Sequence, residues 1–159
     1  MSGGGTVPRV TRWLDDEEQD AWRQLAAVIT RLPAALDAQL QRDADLTHFG
    51  YWVLAMLSEA PSGSLRMSEL AARANSSLSR LSHGVARLEK QGWVRRERSA
   101  EDGRGSVAVL TATGRAKVEQ AAPGHVAEVR RLVFDGLDAE GVRRLAEIGR
   151  LLAANIDRD

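Results

Sequence analysis

Apolar positions along this chain recur mostly at spacings of three and four, the period of amphipathic helices. Trp22, Leu25, Ile29, Leu32, Leu36 and Leu40 form the first stripe, behind an acidic run, 15–20, that suits the positive end of a helix dipole. Asp15 is the predicted cap, and Pro33 predicts a kink rather than a stop. Thr47 should cap a second helix bearing Phe49, Trp52, Val53, Met56 and Leu57, ended by Ala60-Pro61-Ser62-Gly63. Residues 65–67 read as a small strand, and Ser68 is expected to cap a short helix holding Leu70 and Ala71. Asn75-Ser76 then turns the chain into the most informative segment.

Advancing ~100° per residue from Ser76 places Leu78, Leu81, Val85 and Leu88 on one side of a helix. Ser79, Arg80, His83, Arg87 and Lys90 fall nearly opposite, within an arc of roughly 100°. Gly92 closes this helix as the residue after its C-cap. Residues 93–98 and 106–110 read as two strands, and Asp102-Gly103 in their linker is a hairpin signal. Thr111 should cap a helix to about Phe134, disturbed at Pro123-Gly124. Asp138 starts a last helix with Val142, Leu145, Ile148, Leu152 and Ile156 in its stripe. The expected fold is mainly α with a small β-hairpin wing: a winged helix-turn-helix flanked by N- and C-terminal dimerisation helices. Its expected parts are a disordered arm (1–12), an N-terminal dimerisation helix (13–46), a winged helix-turn-helix DNA-binding domain (47–111) and C-terminal dimerisation helices (112–159). The first and last stripes exceed what a winged module this small can bury, which calls for a second copy.

With 159 residues, 43% hydrophobic and 28% charged, the chain has the composition of one globular domain with extensions. The absence of cysteine excludes disulfides, thiolate zinc sites and thiol-based oxidant sensing, and fits a cytoplasmic protein. No apolar run approaches the ~18 residues of a membrane span, and no signal-peptide core is present. The formal net charge of zero changes meaning when divided. Residues 66–104 hold nine Lys/Arg and five Asp/Glu, a balance of +4, so the remainder carries −4. A basic middle between acidic flanks orients a molecule on a polyanion.

A helix with aliphatic residues behind and hydroxyl, guanidinium and imidazole groups in front suits a major groove of DNA. Arg80, one turn in and pointing outward, is the leading base reader, since arginine can donate two parallel bonds to guanine. Ser76, Ser77 and Ser79 sit near the helix N-terminus, where backbone amides also favour phosphate. His83 can reach a base or a phosphate, while Arg87 and Lys90 suit phosphate. Ser68 and Arg96 complete the candidate set beside the helix. Arg104, between Gly103 and Gly105 at the hairpin tip, can enter a minor groove.

Leu88-Glu89-Lys90-Gln91-Gly92-Trp93-Val94-Arg95-Arg96, then Asp102-Gly103-Arg104, then Val109-Leu110-Thr111-Ala112-Thr113-Gly114 resemble the multiple-antibiotic-resistance regulator (MarR) family. Its mark is a helix ending Leu-Glu-x-x-Gly-x-Val-x-Arg, a wing with Asp-x-Arg, and a Leu-Thr-x-x-Gly exit. The resemblance implies a homodimer with interlocked terminal helices, acting as a repressor on double-stranded DNA at a pseudo-palindromic operator. Helix 77–91 would occupy the major groove and Arg104 the adjacent minor groove, with half-sites ~10 bp apart. It also implies release by a small aromatic or phenolic effector. Trp22, His48, Tyr51 and Trp52, in the first two helices, are the candidate pocket, against the plainer reading that they are core and dimer packing. The three histidines (48, 83, 125) lack metal-ligand spacing, so no metal and no cofactor is expected. No nucleophile motif, phosphate loop or carboxylate pair points to an enzyme. The alternative function is a winged-helix module that binds a protein and not DNA.

Overall fold

The computed structural model describes residues 11–98 and 105–158. Its elements are α1 (Asp16–Ala44), α2 (His48–Glu59), β1 (Ser64–Arg66), α3 (Met67–Arg73), α4 (Leu78–Lys90), β2 (Val94–Arg98), β3 (Ser106–Leu110), α5 (Ala112–Val129) and α6 (Ala139–Ile156). A π-helical stretch, Arg130–Phe134, prolongs α5. The chain divides into two compact units, 1–32 and 33–159.

In the first unit, Asp15 Oδ1 accepts from the Glu18 amide at 2.8 Å and Glu18 Oε2 accepts from the Asp15 amide at 3.1 Å. This reciprocal capping box satisfies two donors that a helix start otherwise leaves orphaned. Trp13, Trp22, Val28 and Ile29 are exposed along this unit.

The second unit holds the winged module, and its helices start where hydroxyl and carboxyl caps dictate. Thr47, Thr111 and Asp138 each accept the amide three residues on, at 3.0, 3.0 and 2.7 Å. Gly92 ends α4 at a φ of +73°, a left-handed conformation cheap only for glycine. Its amide donates to Glu89 O and that of Trp93 to Leu88 O, the paired bonds of a Schellman turn. The antiparallel sheet has the order β1-β3-β2, with Leu65 opposite Ala108 and Val94 opposite Leu110. Leu40, Val53, Leu54, Leu57, Leu70, Leu81 and Val85 are its most deeply buried side chains, so one aliphatic core holds α2, α3 and α4 together. No residue of α6 is buried.

Four expectations change. β1 lies one residue earlier than expected, and α3 begins at Met67 with Arg66 at its N-cap and no side-chain cap. Ser68 is therefore inside the first turn and does not cap it; sheet pairing runs to Arg66 opposite Val107, so the strand feeds straight into the helix. α5 is continuous through the exposed Pro123, and its irregularity comes at 130–134. Leu78 is 54% exposed although its helical angle matches Leu81 and Val85. It is the first residue of α4, and lies in a groove rather than in the core. Pro33 lies inside α1, and the division between the two units falls just before it. The arm over 1–10, the Asp102-Gly103 turn and Arg104 lie outside the described residues.

Candidate nucleic-acid interface

α4 is fixed from behind by Leu81, Val85 and Leu88, and this burial decides which face looks outward. Ser79, Arg80, His83, Arg87 and Lys90 are all exposed on the opposite face. Ser77 caps the helix, its Oγ accepting the Arg80 amide at 3.2 Å, and Ser76 is half-buried in the preceding turn. That turn needs Asn75 at a φ of +46°, a region asparagine tolerates better than most residues.

Arg80 has no carboxylate partner among the described residues; its guanidinium lies 5.0 Å from the centre of the Phe49 ring. That ring also packs against Gly84, one turn along α4, where an added Cβ would come within 2.6 Å of Phe49 Cε1. Sequence periodicity assigns Phe49 only to the core. Nothing local signals its contact with a helix more than thirty residues away.

The wing is tied to α4 by a second pair that spacing does not reveal. Glu89 accepts from the Arg96 amide at 3.0 Å and from Arg96 Nε at 2.6 Å, and Arg96 Nη1 donates to Ser82 Oγ at 3.2 Å. Arg96 thus braces β2 against α4 from an exposed position. Behind the wing, Thr111 and Thr113 hydroxyls both donate to Gly92 O, at 2.7 and 2.8 Å, and Gly114 lets α5 close on the Trp93 carbonyl. Ser68 is exposed and lines a groove of about 370 Å³ with Arg66, Leu78, Ser82 and Arg96.

The four candidate effector residues separate. His48 and Trp52 line an open cleft of about 550 Å³ with Pro33, Asp37, Phe49 and Arg80. Tyr51 is turned into the core, its ring 4.3 Å from that of the buried His125, which lies 5.6 Å from His48. Trp22 belongs to the first unit, where it is exposed. Asp37 Oδ1 accepts the His48 amide at 2.8 Å, and Gln41 donates to Oδ2. Burial holds His48 below the ordinary histidine range against the opposing charge of Asp37. Burial, then the neighbouring His48, does the same for His125. Among the described residues no cluster of three or more His, Cys, Asp or Glu could hold a metal ion.

A family model described as MarR family matches residues 46–105, the segment from just before the α2 cap to the residue preceding β3. Sco3205 of Streptomyces coelicolor, a MarR family transcriptional regulator solved in complex with DNA, is 50% identical. The match covers 91% of each chain with a TM-score of 0.89. The chain belongs to the MarR family of transcriptional regulators. AbsC, a MarR family regulator from the same organism, is 40% identical over 94% of this chain and 100% of its own, again with a TM-score of 0.89. A mutant MarR from E. coli complexed with operator DNA shares the fold at 24% identity, covering 86% of this chain and 96% of that one, with a TM-score of 0.75. No curated protein matches the chain. The MarR family is one of transcriptional regulators, and among the described residues no helix is long and apolar enough to cross a membrane.

Proposed function

We propose that this MarR family member is a homodimeric repressor that reads a pseudo-palindromic operator in cytoplasmic DNA, with α4 in the major groove of each half-site. The observation that carries the reading is the outward face of α4, where hydroxyl, guanidinium, imidazole and ammonium groups stand together over a fully aliphatic back. The DNA complex of the 50% identical Sco3205 supports it. Arg80 reads a base, Arg87 and Lys90 hold phosphates, and Leu78 supplies an apolar contact of the kind a thymine methyl accepts. Arg104, between β2 and β3 in the sequence, enters the minor groove. Residues 47–111 form the reading module, and 13–46 with 112–159 form the dimer. The exposed stripe Val142, Leu145, Ile148 and Leu152 on α6 supports a second copy, because water-facing aliphatic rows of this length call for a cover. The cleft lined by His48, Trp52 and Arg80 is where a small aromatic effector would act, beside the base-reading arginine.

Arg80→Ala tests the assignment against Lys90→Ala. Losing Arg80 is expected to cost ~1–3 kcal/mol at one base-pair position of each half-site and relax preference there. Losing Lys90, one phosphate contact from each copy, should weaken all duplexes alike and flatten the salt dependence by about 1.8 units of slope. If both variants bind as the parent does, α4 is not the reading helix.

A further inference from the structure

Arg80 is anchored twice. Its backbone amide is held by the Ser77 cap at 3.2 Å, and its guanidinium lies over the Phe49 ring at 5.0 Å. Phe49 is itself held, because its ring edge fills the notch at Gly84, where any side chain would collide with it. The ring is therefore a fixed platform on α2 that reaches across to the Arg80–Gly84 row of α4. A long arginine side chain loses substantial rotamer entropy when it must adopt one pose to donate to a base. A guanidinium resting on an aromatic face gives up part of that freedom beforehand, yet keeps its N–H donors at the edge of its plane.

We infer that Phe49 is a specificity-determining positioning residue: it never touches DNA, and it sets base preference by holding Arg80 in its reading pose. The inference rests on the assignment of Arg80 as a base reader. It explains why a phenylalanine at the start of α2 is left half-buried with one face given to a cation rather than sunk in the core. It also explains the glycine at position 84, since a methyl group there would push the platform away.

The test is a cycle of parent, Phe49→Leu, Arg80→Ala and the double variant, each measured on duplexes carrying every single base-pair change of the operator. Phe49→Leu should lower discrimination about two- to fivefold at the position Arg80 reads, the range a cation–π contact at an exposed site supplies. Affinity for a scrambled duplex and the salt slope should stay as in the parent. In the Arg80→Ala background the same substitution should change nothing at that position, and Phe49→Tyr should restore discrimination. Uniform weakening on all duplexes, persisting without Arg80, would reduce Phe49 to a packing residue and overturn the inference. An Arg80→Ala chain that keeps every base preference overturns the reading role itself, so the two failures are distinguishable. Should Phe49→Leu fail to fold, the parent's NMR spectrum decides. Upfield ring-current shifts of the Arg80 Cδ protons are expected, and random-coil positions would remove the platform.

Discussion

Replacing Gly114 with alanine sets a Cβ atom 2.0 Å from the Trp93 carbonyl oxygen and 2.9 Å from Leu110 Cδ1. Alanine inside a helix is ordinarily worth about 1 kcal/mol over glycine, so propensity alone favours the change. The contact reverses that sign. A Cβ atom needs at least 3.0 Å, and its nearest obstacle is backbone, so the start of α5 must retreat by about 1 Å. Three bonds stretch with it: Thr111 N to Trp93 O at 3.1 Å, and the Thr111 and Thr113 hydroxyls to Gly92 O at 2.7 and 2.8 Å. At about 1 kcal/mol each, with ~1–3 kcal/mol of residual strain and the propensity gain set against them, the net loss is about 3–5 kcal/mol. Urea unfolding followed by tryptophan fluorescence reads this directly, and a melting temperature lower by roughly 6–20 °C should accompany it. A Gly114→Ala chain as stable as the parent would refute the close approach of α5 to the wing.

Glu89→Ala should free Arg96 and loosen β2 from α4, weakening binding to every duplex several-fold while leaving base preference intact; a change confined to one base pair would contradict the bracing role. Acid should destabilise the fold through His48 and His125. Both titrate below the ordinary value near 6.5, so as pH falls through 6.5 the unfolded chain takes up protons that the folded one refuses. Charged groups facing the pair are Asp37 on α1 and, across the cleft, Arg80 on α4. Urea midpoints should drop between pH 7 and 5, less steeply in His125→Gln; midpoints rising toward acid would refute it. Leu81→Ala, at a fully buried position, should cost ~2–5 kcal/mol, measured by the same unfolding.

Local chemistry made much of this fold readable in advance. Thr47, Thr111 and Asp138 cap their helices because a short oxygen-bearing side chain and a free amide meet within three residues, an arrangement visible in sequence. Gly92 is legible because a left-handed helix end is cheap only for glycine. What escaped the reading is non-local. Ser68 has a cap's composition, yet pairing of β1 with β3 decides where α3 begins. Leu78 shares the angle of Leu81 but stands at the first position of α4, where the core no longer reaches. Arg96 reads as one more surface cation until Glu89, seven residues earlier, is seen to accept both its backbone and side-chain donors. Phe49 reads as core because periodicity records which side of a helix is apolar, not which partner it meets.

The central claim is tested most directly by titrating the chain onto short duplexes from the region upstream of its own gene, across a salt series, beside a scrambled control. Specific binding of one dimer to one pseudo-palindrome is predicted. With Arg87 and Lys90 of both copies on phosphates, log affinity should fall with log salt at a slope of about −3.6 or steeper. Binding that equals the scrambled control at every salt concentration would contradict it and leave the winged module as a surface for protein partners.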